Sequence, residues 1–410
     1  LIGQKFVPLC SSLDNPLWDH TQGGQVQNKA NFEKVLRPVE AAETLPPACY
    51  VDEMLFETEM DRAFRGGWVC VGRLDALVVP GDYLALDVGG TPLVLLLDST
   101  RRLRAFANTC RHRGMRLLPP GRGRCERIVC PFHAWTYGLD GALQAAPRMG
   151  EAAEFRNADY GLVTVPVASR AGFTFVNVDS TASPIDAWLG DFEAVHRPWR
   201  LGDLITASTR ELEVRCNWKI FLEVFNEYYH LQKVHPGTFS VYYASPDPLD
   251  KVAGNFSTQF GEHRGVSSTG KVDDGTEPLP PLPGLSGRNL LGTRYSWVYP
   301  NLTFAASIDA VWIFEAMPLA PALTRVNMTV CFPQASVEQA DFATKLSVYE
   351  RRMEAGLAED IPVIETQQRG MSSSLARAGR YSPLYEPSVH AFHCWIAQLM
   401  SESNNGCESS

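Results

Sequence analysis

Several features that define particular classes of protein are missing from this sequence. Cysteine is sparse, with 10 residues among 410, which argues against a scaffold built on disulfides. No apolar run is long enough to cross a bilayer, and the first residues lack the basic segment and apolar core of a secretory signal. We therefore expect a cytoplasmic protein that does not insert into a membrane.

Basic residues are also in the minority. The chain has 37 lysines and arginines against 46 acidic residues, which gives a formal net charge of −9. This balance disfavours a general nucleic-acid binder, because such a protein needs a basic surface. No G-x-G-x-x-G pattern follows a first strand, so we expect that this chain does not bind a dinucleotide directly.

The length and composition that remain fit two globular domains. A hydrophobic content of 45% and a charged content of 20% are ordinary for a folded protein. Short apolar runs broken by Gly and Asp-Gly turns predict a small antiparallel β domain over residues 46–180. Residues 181–410 mix strand and helix patterns, which predicts an α+β domain with a central antiparallel sheet flanked by helices. Residues 1–45 are expected to form an arm that packs on this second domain.

Two cysteine–histidine pairs lie in predicted loops of the first domain. Cys110-x-His112 and Cys130-x-x-His133 are separated by seventeen residues. Two thiolates and two imidazoles can hold a structural zinc ion. The same set can hold a Rieske [2Fe–2S] cluster, in which the thiolates bind one iron and the imidazoles bind the other. The residues alone leave both possibilities open.

A second group of candidate ligands lies in "NWKIFLEVFNEYYHLQKVH", which contains Glu227, His230 and His235. On a helix, Glu227 and His230 share a face. The helix must end or bend before Pro236 for both imidazoles to meet one metal ion. Two imidazoles and one carboxylate are the ligands of non-haem Fe(II) oxygenases, so a distant acidic residue is expected to complete the site.

Together these patterns resemble the Rieske non-haem iron oxygenases, over about residues 44–371. The resemblance rests on "CRHRG", "CPFHAWTYGLDG" and the two-histidine segment. It implies a Rieske domain followed by a catalytic domain with a mononuclear Fe(II). The implied cluster ligands are Cys110, His112, Cys130 and His133.

The third iron ligand is expected in "AEDIPVIETQQRGM", which is similar to the family's segment for it. By that resemblance the ligand is Asp360, with Glu359 and Glu365 as the competing residues. Glu359 is adjacent to Asp360 but points about 100° away on a helix.

Glu227 occupies a position that bridges two metal centres in the family. The resemblance implies that Glu227 connects His133 of one subunit to His230 of the next, and hence that the protein is a homotrimer. This position is usually aspartate in ring-hydroxylating members, whereas glutamate is similar to the carnitine monooxygenase branch. Asn226 is expected to be a pocket residue or to support the iron ligands.

The resemblance implies a monooxygenase that uses O₂ and electrons passed from NAD(P)H by a separate flavin and iron–sulfur reductase. Aromatic side chains can hold either a quaternary ammonium group or an apolar ring, and we favour hydroxylation or N-dealkylation of a carnitine, betaine or choline type of substrate. The alternatives are an aromatic ring-hydroxylating α-subunit and a non-enzymatic electron-transfer or zinc-structured protein. Arg294 is a candidate partner for a substrate carboxylate. The candidate pocket residues are Tyr295, Trp297, Tyr299, Phe304, Trp312 and Phe314.

Overall fold

The computed structural model describes residues 32–179, 183–236, 239–240, 246–263 and 277–401, and the features below refer to these residues. The first half of the chain contains a four-stranded antiparallel sheet in the order β4-β3-β2-β5 and a three-stranded sheet in the order β6-β7-β8. Buried aliphatic side chains of β2 and β3 fill the space between them. The strands are β2 (Asp82–Val88), β3 (Thr91–Leu97), β4 (Leu103–Ala107), β5 (Gly121–Arg124), β6 (Ile128–Val129), β7 (Thr136–Tyr137) and β8 (Leu143–Ala145).

A third small sheet connects this β region to the second half of the chain. Its order is β1-β10-β9, and both strand pairs are antiparallel. All five residues of β10 are buried, and Phe173 and Phe175 pack into the same apolar cluster as the large sheet described next. The strands are β1 (Trp68–Cys70), β9 (Val167–Arg170) and β10 (Phe173–Asn177).

The second half is built on a six-stranded antiparallel sheet in the order β11-β16-β15-β14-β13-β12. Strand β14 is buried along its whole length, and four of its five residues are apolar, since both faces of a central strand are covered. The hydroxyl of the fifth, Thr303, donates to the Ser296 carbonyl. The strands are β11 (Leu204–Val214), β12 (Phe256–Glu262), β13 (Gly292–Val298), β14 (Leu302–Ala306), β15 (Val311–Ala320) and β16 (Leu323–Pro333).

Helices cover this sheet. The short helix α4 begins where the Asn217 side chain accepts a hydrogen bond from the Lys219 backbone N–H, a typical N-cap. None of the helices in the described residues has both the length and the apolar composition needed to cross a membrane. The helices are α1 (Glu53–Glu59), α2 (Ile185–Leu189), α3 (Phe192–His196), α4 (Trp218–Phe225), α5 (Leu231–Val234), α6 (Gln334–Val337), α7 (Phe342–Met371) and α8 (Pro387–Ser401).

The predicted fold class is confirmed: an antiparallel β region is followed by a central antiparallel sheet with helices. The predicted arm lies partly outside the described residues. Within them, the Val35 carbonyl lies 3.1 Å from His390 Nε2 of α8, and the Thr44 N–H donates to the Gly379 carbonyl. The boundaries at residues 45 and 180 stay predictions.

Candidate functional site

The two loops that carry the cysteine–histidine pairs have the same backbone hydrogen bonds. In one loop, the Cys110 N–H donates to Met115 and the Gly114 N–H donates to Cys110. In the other, the Cys130 N–H donates to Trp135 and the Ala134 N–H donates to Cys130. The fifth residue of each loop is left-handed, with φ of 70° at Gly114 and 57° at Ala134. A non-glycine residue adopts this conformation at a cost of about 1 kcal/mol, so the loop geometry is imposed by its surroundings.

These loops bring the four predicted cluster ligands to the same end of the β region. Cys110 and Cys130 are buried as free thiols, and the imidazoles of His112 and His133 lie 4.8 Å apart between ring centroids. Trp135 stacks on His112 with an interplanar angle of 9°. The Tyr137 hydroxyl lies 3.3 Å from Cys110 Sγ. The two pairs are therefore held by aromatic packing as well as by the backbone.

The donor set fits a two-iron cluster better than a single zinc ion. A tetrahedral zinc would bring all four donor atoms within about 4 Å of one another. In the part of the chain that the structure describes, no three of these four residues bring their donor atoms within 4.8 Å of one another. A Rieske cluster separates the thiolate pair from the imidazole pair. The Nδ1 atom of His133 is buried and has no hydrogen-bond partner among the described residues, which leaves it available to a metal.

The electrostatics around His133 favour the neutral, ligating form. Partial burial lowers the pKa of His133, and the charges of Arg113 and His112 lower it further. Its other nitrogen, Nε2, lies 3.1 Å from Arg113 Nη2. The neighbouring ring of Phe132, whose centroid lies 3.8 Å from that of His133, is 57% exposed.

The second site brings His230, His235 and Asp360 together. One ligand atom from each lies within 4.8 Å of the others, and no other three acidic, histidine or cysteine residues do so in the described ranges. Asp360 Oδ1 lies 3.0 Å from His235 Nε2 and 3.7 Å from His230 Nε2. The atoms face one point, as the ligands of a metal ion do.

The local backbone explains how two histidines five residues apart meet. Helix α4 ends at Phe225, and α5 covers only Leu231–Val234. Glu227 and His230 therefore lie in the connection between the helices rather than on one helix, which corrects the sequence-based expectation. The helix does end before Pro236, as predicted, because proline cannot donate the hydrogen bond that would continue it.

Each imidazole of this site also contacts a carboxylate through its outer nitrogen. His230 Nδ1 lies 2.5 Å from Glu227 Oε1, and His235 Nδ1 lies 2.6 Å from Glu359 Oε2. A carboxylate that accepts the Nδ1 proton leaves the Nε2 lone pair for a metal and orients the ring. The residues present therefore fit a mononuclear iron. Sequence reasoning treated Glu359 only as a competitor of Asp360 and missed this contact.

The pKa of His235 reports the charge of the site. Burial alone would lower it, but the carboxylates of Asp360 and Glu359 raise it above its ordinary value. A site that raises the pKa of an imidazole stabilises positive charge at its centre. The third acidic candidate, Glu365, does not face the histidines, because its carboxylate accepts the Arg215 backbone N–H.

A cavity of about 110 Å³ is lined in part by these three candidate ligands. Its wall is formed mainly by aromatic and aliphatic side chains from α4, α7 and the sheet. Residues of the predicted pocket divide into two groups. Tyr295, Trp312 and Phe314 line the cavity. Phe225, Tyr228 and Phe239, which the sequence did not single out, line it as well.

The other three aromatic candidates belong to the core instead. Trp297 stacks on Phe392 of α8 with ring centroids 3.9 Å apart, and Tyr299 contacts the same ring. Phe304 lies in the apolar cluster on the opposite side of the sheet from Tyr295, since adjacent strand positions alternate. The expectation that Trp297 and Tyr299 share the pocket with Tyr295 was wrong, because α8 covers that part of the same face.

Arg294 is also remote from the cavity. Its guanidinium pairs with Asp250 at 2.6 Å and lies over the ring of Trp199. Asn226 is buried and is not among the described residues that line the cavity. Its side-chain amide donates to the Leu222 carbonyl at 2.7 Å, and the Thr303 hydroxyl lies 3.0 Å from its oxygen. Asn226 thus joins the end of α4 to strand β14.

Comparisons with known proteins agree with this architecture. Residues 67–159 match the Rieske [2Fe-2S] domain, and residues 201–402 match the ring hydroxylating alpha subunit catalytic domain. The chain is 30% identical over 377 residues to a chloroplastic choline monooxygenase of Arabidopsis thaliana, covering 88% of this chain and 83% of the relative. The chain therefore belongs to the Rieske non-haem iron oxygenases. It is an oxidoreductase whose cofactors are a [2Fe–2S] cluster and a mononuclear iron, as predicted.

Two further relatives are informative. The chain is 28% identical over 395 residues to the glycine betaine monooxygenase oxygenase subunit of Chromohalobacter salexigens, covering 89% of this chain and 88% of the relative. It superposes with a TM-score of 0.72 and 26% identity on the crystal structure of the quaternary ammonium Rieske monooxygenase CntA in complex with L-carnitine. That match covers 88% of this chain and 96% of the other.

Proposed function

We propose that this protein is the oxygenase component of a monooxygenase that oxidises a small quaternary ammonium compound of the carnitine, betaine or choline type. Electrons come from NAD(P)H through a separate flavin and iron–sulfur reductase. The observation that carries the proposal is the aromatic cavity beside His230, His235 and Asp360. Aromatic faces attract a quaternary ammonium group, and the relatives named above act on such compounds.

In this proposal the two candidate sites have separate roles. Cys110 and Cys130 bind one iron of the cluster, and His112 and His133 bind the other. His230, His235 and Asp360 hold the mononuclear iron. When bound, the cluster supplies single electrons and the mononuclear iron activates O₂.

The chain itself positions the substrate and the ligands. Tyr295, Trp312 and Phe314 hold the ammonium group and keep water away from the carbon that is oxidised. Glu227 and Glu359 accept the Nδ1 protons of the two imidazoles and so keep each Nε2 directed inwards. Hydroxylation of an N-methyl group would give an N-hydroxymethyl ammonium compound. Its hydroxyl loses a proton to solvent, the C=O bond of formaldehyde forms, and the C–N bond breaks with its electron pair remaining on nitrogen as the tertiary amine.

Glu227 has a further role in this proposal, which is to connect the two sites across subunits of a homotrimer. Two observations support it. Among the described residues, no hydrogen bond joins Glu227 to His133 of the same chain. The apolar side chains around His133, including Phe132 and Val129, are exposed, as surfaces that contact another protein often are. Inter-subunit electron transfer is described for CntA.

Asn226 is proposed to position Glu227 rather than to contact substrate. Its amide satisfies a carbonyl in the last turn of α4, and it directly precedes Glu227 in the chain. This connection determines where the chain leaves the helix and hence where the carboxylate lies.

The substrate is tested by reductase-coupled turnover with carnitine, γ-butyrobetaine, glycine betaine, choline and simple aromatic acids. We expect an ammonium compound to yield an aldehyde and the corresponding amine, detected by mass spectrometry. Turnover of the aromatic acids alone would favour a ring-hydroxylating α-subunit and refute the ammonium proposal.

The electron route is tested by complementation between two inactive variants. Asp360→Ala removes an iron ligand and should leave the cluster absorption intact, whereas Cys110→Ala removes a cluster ligand and should leave the iron site intact. Coexpression should restore activity if electrons cross between subunits. Mixing the two variants after separate assembly is the control. Coexpressed variants that form mixed oligomers and stay inactive would contradict the route.

A further inference from the structure

One charged side chain in the cavity wall has no role in the proposal above. Arg352 lies on α7 and is only 7% exposed. It shares one face of the helix with Gly356 and Asp360, because these positions follow each other at intervals of four residues. All three line the cavity. Among the described residues of the cavity wall, Arg352 is the only arginine or lysine.

The guanidinium lies close to the iron ligands. The Phe239 ring contacts both, with its centroid 4.9 Å from the centroid of His235 and 5.1 Å from Arg352 Cζ. Because both distances end at the same ring, Arg352 Cζ is at most ~10 Å from the centre of the His235 imidazole. A separation within this limit can be spanned by a short-chain amino acid and is too short for an extended fatty acyl chain.

The cavity therefore contains groups of both charges. Its lining includes the carboxylates of Glu227 and Asp360 beside the two histidines, several aromatic rings, and the guanidinium of Arg352. Burial and, to a smaller extent, the charge of Arg352 lower the pKa of the neighbouring His263 to about 4, so the positive charge in this region is that of the arginine. A guanidinium binds a carboxylate through two parallel hydrogen bonds and repels an ammonium group.

We propose that Arg352 binds the carboxylate of the substrate, and that the substrate class is a zwitterionic trimethylammonium carboxylate rather than an ammonium alcohol such as choline. This inference rests on the proposed function and selects among its candidate substrates. Arg352 takes the role of carboxylate partner that the sequence suggested for Arg294, which pairs with Asp250 outside the cavity.

Binding to the holoenzyme, measured by calorimetry without O₂ and reductase, separates the contributions of the two charges. Glycine betaine carries both charges, choline carries only the ammonium group, and 3,3-dimethylbutyrate carries only the carboxylate. We expect glycine betaine to bind about 10- to 100-fold more tightly than choline, the range for a hydrogen bond to a charged group.

Variants at position 352 assign the difference to this residue. Arg352→Gln should weaken glycine betaine and 3,3-dimethylbutyrate by about 10- to 100-fold and leave choline unchanged or improved. Arg352→Lys should retain part of the affinity, since it keeps the charge but not the planar fork. Arg351→Gln is the matched control, because Arg351 is exposed on the same helix and its loss should change no affinity.

The outcomes distinguish the two proposals. Equal loss of all three ligands in Arg352→Gln, or equal binding of choline and glycine betaine to the wild type, would overturn the role of Arg352 and leave the ammonium function standing. Equal binding of 3,3-dimethylbutyrate and glycine betaine, both lost in Arg352→Gln, would retain the carboxylate site and refute the ammonium function. A wild type that binds none of the three would overturn both.

Discussion

Removing the Glu359 carboxylate should weaken iron binding without disturbing the cluster. Glu359 Oε2 lies 2.6 Å from His235 Nδ1, and a hydrogen bond of this charged type contributes about 1.5–3 kcal/mol. The Glu359 side chain is 32% exposed, so solvent screening favours the lower end of that range. About 1.5 kcal/mol corresponds to a roughly tenfold loss, which agrees with the effect of removing such carboxylates from other metal sites. Glu359→Gln should lose less than Glu359→Ala, because the amide oxygen still accepts the proton.

Iron affinity would be measured by competition with a chelator, and the visible absorption of the cluster would serve as an internal standard. Glu365→Ala is the matched control, because Glu365 lies on the same helix and accepts the Arg215 backbone N–H. An unchanged iron affinity in Glu359→Ala would refute the reasoning. Equal losses in both variants would show that the effect comes from the helix rather than from the imidazole.

Three further predictions concern stability and the cavity. Burial raises the pKa of Glu315 to about 7, so the folded state binds more protons than the unfolded state between about pH 4.5 and 7. The free energy of unfolding should therefore fall by about 1–3 kcal/mol as the pH rises through that window. Melting curves at pH 5 to 8 should show this loss in the wild type and not in Glu315→Gln, whose side chain does not titrate. Lys219→Met leaves the fully buried Glu59 without its cation and should cost about 3–5 kcal/mol; adding Glu59→Leu should recover much of it, and an unimproved double variant would contradict this account. Gly356→Ala should stabilise the helix but raise KM for the substrate. The rise is expected because the added Cβ would lie 2.7 Å from an aromatic ring of the cavity, which must then shift. Gly370→Ala is the control: its Cβ would meet open space, so KM should be unchanged.

The candidate metal ligands could be recognised largely from the sequence because most lie close together in the chain. Each cysteine–histidine pair lies within one loop, so its spacing reflects the geometry of the loop itself. His230 and His235 are five positions apart, and Pro236 indicated where the helix had to end. The resemblance to a known family supplied the distant Asp360, which the structure brings within 3.0 Å of His235.

The contacts that the outer nitrogens of the same histidines make were harder to predict from the sequence. Glu359 and Asp360 point in different directions from α7, as the helical rotation required, yet both reach His235 because they contact its two opposite nitrogens. The sequence shows neither which helix packs beside the histidines nor at what height along that helix they meet.

The sequence by itself determined the chemistry available to this protein: two sets of candidate metal ligands, many aromatic residues near them in the chain, and an antiparallel β region followed by an α+β region. Only the tertiary structure decided which aromatic rings surround the cavity and which become core. Strand alternation assigned Tyr295 and Trp297 to one face, but α8 covers only the second of them. In the same way, packing placed Arg352 rather than Arg294 in the cavity wall. Such choices depend on contacts between residues far apart in the chain, which no local pattern encodes.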